Sequence, residues 1–243
     1  MDENATRSLP PVHLHSPQNR VKKRTHPLVL WSLLAAVAFL LGACAEIDTH
    51  RGVRNTSRTF NTVVLDAGHG AHDSGARTRK GTLEKDLALD VALRVAPKLR
   101  AAGFNTILTR KRDVFVTLDD RVRISDRYEN AVFVSVHFND AGRKQVSGVE
   151  SYYFSPESRR MAERMVRVLS ATTGAENRNA RIARFRVLRT AQNPAVLMEC
   201  GYITTTREAA LIVQPAYREK IAEGLARGII EQRGGPLLSE SKL

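Results

Sequence analysis

The chain has 243 residues, 42% of them apolar, enough for one cored domain plus an appendage. Its formal net charge is +13, and residues 61–243 carry +9 of it (30 basic against 21 acidic), so the excess is spread through the body and suits polyanions in general; no basic recognition helix or aromatic RNP strand is present, which argues against nucleic acid as a partner. Two cysteines, Cys44 and Cys200, exclude a disulfide framework and a cysteine-type zinc site.

Residues 1–27 are polar and end in the basic "VKKRTH"; "PLVLWSLLAAVAFLLGAC" (27–44) then carries no charge. A basic flank, a short apolar run and small residues at its end make an export signal. An uncleaved membrane anchor is the alternative, although this run is short for a span. "AEIDTHRGVRNTSRTF" (45–60) lacks hydrophobic periodicity and reads as a flexible tether. The C-terminal "SKL" matches a peroxisomal address, but three residues match by chance and the export signal contradicts them.

From there the chain alternates. "NTVVLDAG" is an apolar run ended by glycine, a strand buried on both faces. "LEKDLALDVALRVAPKLRAAG" places Leu83, Leu87, Val91, Val95 and Leu99 on one helical face, with Gly103 as the stop and Pro97 loosening the last turn. "FNTILTR" predicts a second strand, "LDDRVRISDRYEN" a more polar helix, "AVFVSVHFN" a third strand and "GVESYYF" a fourth. A helix across 156–172 follows, then a loop; "FRVL" and "AVLMEC" are short strands; "EAALIV" and "PAYREKIAEGLARGIIEQ" are helices. The expected fold is α/β: one domain over 61–233, with a central, mostly parallel, twisted sheet of about six strands, helices on both faces, and a tail over 234–243.

In such sheets ligands gather at strand ends. His69 follows the first strand, His137 ends "FVSVH" and Glu199 ends "AVLME", while Glu84 sits in the first turn of the first helix. Two histidines and a carboxylate suit zinc with an open position, and a second carboxylate beside it suits a general base. The separations of 15, 53 and 62 residues are far from a local metal motif, so only the fold could join these four. Each has an ordinary reading: a histidine at a strand end is usually a surface residue, and Glu84 is an acid favoured by the helix dipole. Glu199 follows "VLM", where an unpaired carboxylate is costly. His72 competes with His69, but only His69 lies between two glycines, where a metal could approach the backbone.

"LDAGHGAHDSGA", "LEKDLALDVA", "ILTRKRDVFVTLDDR", "FVSVHFN" and "PAVLMECGYIT" occur in the order seen in the zinc-dependent N-acetylmuramoyl-L-alanine amidases of the third amidase family, and the chain resembles that family over essentially all of 61–233. The resemblance implies one zinc ion per chain held by His69, Glu84 and His137, Glu199 as catalytic acid and base, and Asn139 as a substrate-binding residue. It implies hydrolysis of the amide between N-acetylmuramic acid and L-alanine in peptidoglycan. Ala71, "YEN" and "GYITT" depart from the family pattern without removing a ligand. Septal members carry an inserted helix that plugs the site; the segment from Phe154 to Phe185 leaves room only for one ordinary helix and a loop. Cys200 should face away from Glu199, since adjacent strand residues point to opposite sides. "LGAC" resembles the lipobox of bacterial lipoproteins, which implies lipidation of Cys44 and an exported, lipid-anchored protein of the periplasm or cell envelope. Ala45, by resemblance to enterobacterial sorting, favours the outer membrane. A monomer is expected. The competing readings are a catalytically inactive wall-binding lipoprotein and a metallopeptidase acting on other wall amides.

Overall fold

A computed structural model describes residues 52–142 and 146–234. The elements are β1 (Thr62–Ala67), α1 (Glu84–Ala101), β2 (Asn105–Leu108), α2 (Leu118–Asp126), β3 (Ala131–Asn139), β4 (Val149–Tyr153), α3 (Pro156–Thr173), β5 (Asn177–Ile182), α4 (Arg186–Arg189), β6 (Ala195–Tyr202), α5 (Thr206–Ile212) and α6 (Pro215–Gly234). The six strands form one sheet in the order β2-β1-β3-β6-β4-β5. β2, β1, β3 and β6 run parallel; β4 pairs antiparallel with β6, and β5 follows β4. The expected α/β sheet is present, with its parallel part in the four strands that reach the candidate residues.

Side-chain alternation divides the sheet into two unequal faces. Val63, Leu65, Val132, Val134, Val136, Val196, Met198 and Cys200 point into the main core, covered by α1, α3 and α6. Cys200 is fully buried there, on the side opposite Glu199. On the other face Val64, Phe133 and Leu197 form a smaller core with Val122 of α2 and Val187 and Leu188 of α4. These two helices have only nine and four residues, so they cover this face incompletely. The next inward positions on that face are polar: Asp66, Ser135, His137 and Glu199. One face makes the core and the other leaves a cleft.

Three expectations are corrected. "FRVL" is not a strand: Arg186–Arg189 is a helical turn that buries Val187 and Leu188. A short apolar run has no period that separates strand from helix. The segment read as loop after α3 contains β5, an edge strand whose "NRNARI" is mostly exposed and has no apolar face to announce it. Part of the region expected to be a flexible tether packs on the domain. The Arg54 guanidinium donates to Asn193 Oδ1 and Gln192 Oε1 at 3.0 Å, Thr56 Oγ1 donates to the Ala131 carbonyl at 2.8 Å, and buried Phe60 stacks on Phe104 with centroids 5.4 Å apart. α1 runs through Pro97 to Ala101. The carbonyl that Pro97 cannot bond belongs to Leu93, a residue on the exposed side of the helix. Among the described residues no helix is long and apolar enough to cross a membrane; the apolar run 27–44 and Cys44 lie outside them.

Candidate metal centre

The C-terminal ends of β1, β3 and β6 meet at the mouth of a cleft of about 800 Å³. β3 and β6 are hydrogen-bonded neighbours in a register that sets His137 directly beside Glu199. β1 ends at Ala67, and Gly68 and His69 continue over the same edge. Glu84 arrives from the first turn of α1, where a carboxylate also meets the positive end of the helix. Its Oε1 lies 3.0 Å from His69 Nε2 and 2.9 Å from His137 Nδ1. The structure therefore brings His69, Glu84 and His137 together, with one donor atom from each within 4.8 Å of the others.

The backbone is shaped for this convergence. A Cβ on Gly68 would stand 2.3–2.7 Å from three atoms of the His137 ring, so only glycine lets the imidazole lie against the chain. His69 itself has φ 60°, a left-handed conformation that costs a non-glycine residue about 1 kcal/mol or more and persists only where its surroundings impose it. They do so here. Arg121 Nη2 donates to the His69 carbonyl at 2.8 Å, and Asp73 exchanges two backbone hydrogen bonds with Gly70. Arg121 is buried; its Nη1 also bonds the Ala67 carbonyl at 2.7 Å and buried Asp66 at 2.6 Å. Thr109 and Ser135 each donate to Asp66 at 2.7 Å, completing the carboxylate's shell. Arg110 donates to the carbonyls of Ala67 and Gly68 at 2.9 and 2.8 Å. Two arginines thus hold three successive carbonyls around the residue that presents the His69 ring.

The electrostatics follow from burial and pairing. Burial disfavours a charged His69 ring, but Glu84 and Asp73 outweigh it and hold its pKa above the ordinary value. Asp73 sits 2.8 Å from His69 Nδ1, which orients the ring with Nε2 toward Glu84, the kind of carboxylate partner that metal-binding histidines use. Burial opposes ionisation of Glu84 as well; the two imidazoles win, and its carboxyl is held well below the usual range. Backbone amides of Ala76 and Phe138 fix its two oxygens at 2.9 and 3.1 Å. Glu199 is the contrary case. Burial pushes its carboxyl up to about 7, against the opposing pull of His137. The residue keeps some exposure to the cleft, yet its Oε2 is buried with no hydrogen-bond partner.

These residues fit a zinc-type ion on two counts. The donors are two imidazoles and one carboxylate, preset by neighbours and open on the cleft side. The unpartnered Glu199 oxygen lies on the adjacent strand, where a water or substrate atom would complete its hydrogen bonding. His72 is not in the cluster: its ring lies 4.2 Å from that of Phe115. Asn139 ends β3 and lines the cleft; its Nδ2 donates to Glu150 at 3.2 Å and its Oδ1 accepts from the Asp140 amide at 2.8 Å.

Residues 63–231 match the family model described as N-acetylmuramoyl-L-alanine amidase. The chain belongs to that family. It is 35% identical over 173 residues to the N-acetylmuramoyl-L-alanine amidase LytC of Bacillus subtilis, a match covering 70% of this chain and 35% of LytC, so the chain spans about a third of that relative's length. Among solved structures it is similar to the amidase AmiC2 of Nostoc punctiforme, with 38% identity and a TM-score of 0.67 over 74% of this chain and 98% of that one. The catalytic domain of the amidase CwlV from Bacillus (Paenibacillus) polymyxa gives 37% identity and a TM-score of 0.68, over 71% and 97%. The family match begins at the strand that leads to His69 and ends within α6, so it takes in both layers of helices around the cleft.

Sequence reasoning did not find Asp73, Asp66, Arg110 or Arg121 as supports of the site. Asp66 had a signal: an acid inside the apolar "VVLDAG" needs a buried partner, and the polar helix "LDDRVR" supplies one in Arg121.

Proposed function

We propose that this chain hydrolyses the amide between the lactyl group of N-acetylmuramic acid and the L-alanine of the peptidoglycan stem peptide, using one zinc ion held by His69, Glu84 and His137. A zinc ion there would lower the pKa of a water toward about 7 and polarise the amide carbonyl. Glu199 acts as the general base: its Oε2 takes the proton of the attacking water and returns it to the amine nitrogen as the carbon–nitrogen bond breaks. Asp73 holds the His69 ring in the orientation that leaves Nε2 for the ion. Asp66, Arg110 and Arg121 hold the turn that carries it. Asn139, with Glu150 and the Asp140 amide fixing its side chain, contacts the substrate at the edge of the cleft.

The observation that carries this reading is the direct pairing of His137 with Glu199 across β3 and β6, with His69 and Glu84 converging on the same point. It supports a base at Glu199, whose unpartnered oxygen belongs to the strand beside the three-donor cluster at the cleft. Residues between Phe154 and Phe185 are engaged in α3 and β5, which supports a cleft free of an inserted plug. Cys44, lipidated, would anchor the protein in the cell envelope facing its polymer; stable anchoring takes more than one acyl chain.

The test is metal stoichiometry joined to turnover. Purified protein should hold one zinc per chain and lose hydrolysis of sacculi on chelation, regaining it with one equivalent. A His69→Ala, His137→Ala double variant that retains zinc and activity would sink the assignment.

A further inference from the structure

Three large apolar side chains stand exposed together on one wall of the cleft: Phe115, Leu118 and Phe185, at 44, 52 and 43% exposure. They lie where α2 and α4 begin, the two short helices of the thinly covered face. This wall is built rather than frayed. Behind Phe115 the His72 ring packs at 4.2 Å; behind Phe185 the Tyr152 ring packs edge-on at 5.2 Å, its hydroxyl donating to buried Glu150 at 2.7 Å. Arg186 joins the two helix starts, with Nε and Nη2 on the Asp119 carboxylate at 2.5 and 2.9 Å. Phenyl rings exposed this far, and packed from behind by another ring, are surface that a ligand can cover.

We propose that Phe115 and Phe185 form a platform for the muramoyl sugar, binding the apolar face of its pyranose ring and its N-acetyl methyl, and so select amides attached to glycan over free peptides. The inference rests on the amidase reading above. The scissile bond in that reading joins an uncharged sugar to a peptide that carries carboxylates, and charge decides which part meets this wall. Its guanidinium, Arg186, is neutralised by Asp119, while Asp73 and Asp140 are further acids lining the cleft. An anionic peptide gains nothing there. A neutral ring with axial C–H groups on one face does, as apolar pockets with few polar groups bind ligands in general. Leu197, two residues before Glu199 and on the same sheet face, continues the apolar surface toward the reacting centre.

The experiment uses the zinc-loaded full chain and two substrates: an N-acetylmuramoyl peptide, and the same peptide carrying only a lactyl amide without the sugar. The wild type should prefer the first in kcat/KM. Phe115→Ala and Phe185→Ala should each lower that preference about tenfold, the worth of one buried ring, with a larger loss on the muramoyl peptide than on the sugarless amide. Phe115→Trp and Phe185→Trp should retain it; Phe115→Leu and Phe185→Leu, apolar but not flat, should keep only part. Equal losses on both substrates would show that the wall serves the peptide or the fold, and would overturn the proposal. So would a dimer, seen by sedimentation, that the alanine variants dissociate. Binding of peptide-free glycan strands, followed by NMR on the phenyl resonances, needs no catalysis. If the wild type cuts neither amide yet those resonances shift with glycan, the platform stands and the amidase reading falls; no shift would remove the platform.

Discussion

Replacing Glu199 by glutamine separates catalysis from stability in one variant. Glutamine keeps the shape of the neutral carboxyl but cannot take a proton, so turnover should fall by about 10²–10⁴-fold with zinc still bound. The stability change runs the other way and depends on pH. Burial lifts the Glu199 carboxyl to about 7, from 4.5 as an ordinary glutamate. Between those values the unfolded chain has released the proton while the folded chain retains it. The folded state binds more protons, so stability falls as pH rises through this window and levels off above it. The interval from 4.5 to about 7, at about 1.4 kcal/mol for each tenfold change in proton affinity, gives a loss of about 3.5 kcal/mol as an upper bound. Glu199→Gln lacks that loss. Urea unfolding of metal-free wild type and variant at pH 4.5 and pH 8 measures it, and titrating groups remote from Glu199 cancel in the difference. The variant should gain on wild type by about 2–3 kcal/mol between the two pH values, equivalent to about 4–12 °C in melting temperature. Parallel pH profiles, agreeing within about 0.5 kcal/mol, would refute the buried, unpartnered carboxylate. Near-normal turnover in a folded, zinc-loaded variant would leave the reaction without its base.

Gly68→Ala should fold yet bind zinc poorly, because the new methyl occupies the position of the His137 ring; elemental analysis beside circular dichroism reads both, and full zinc content would show that the ring has another place to go. Arg121→Met strands the buried Asp66 carboxylate and should cost about 3–5 kcal/mol in urea unfolding, with a second change of Asp66→Asn recovering part of it; no coupling in that double-mutant cycle would remove the pair from the account. Cys44→Ala should abolish incorporation of labelled palmitate. A wild-type protein that takes up no label would favour the uncleaved anchor instead.

Much of this was legible because period-2 and helical patterns report burial directly. The strand "AVFVSVHFN" and the helix from Glu84 were visible, and so was the anomaly of Glu199 behind three apolar residues. Illegible were features set by long-range contact. β5 has no apolar face, and it is a strand because β4 offers it a free edge. "FRVL" is helical because two adjacent apolar residues reach the small core from one turn. The convergence of His69, Glu84, His137 and Glu199 depends on β3 and β6 being neighbours although 55 residues separate the end of one from the start of the other (195 − 139 − 1). No local spacing encodes that adjacency; the ordered family motifs supplied it. The arginine grip on the carbonyls of residues 67–69 was hidden for a similar reason, since a backbone acceptor leaves no mark in the sequence.

An amidase differs from other wall hydrolases in the bond that is cut. Purified zinc-loaded protein, incubated with intact peptidoglycan and analysed by mass spectrometry, identifies it directly. Intact stem peptides with a free amino group on L-alanine should be released, leaving glycan strands whose lactyl carboxylates are newly exposed. Shortened stem peptides, or new reducing ends on the sugars, would contradict the amidase reading.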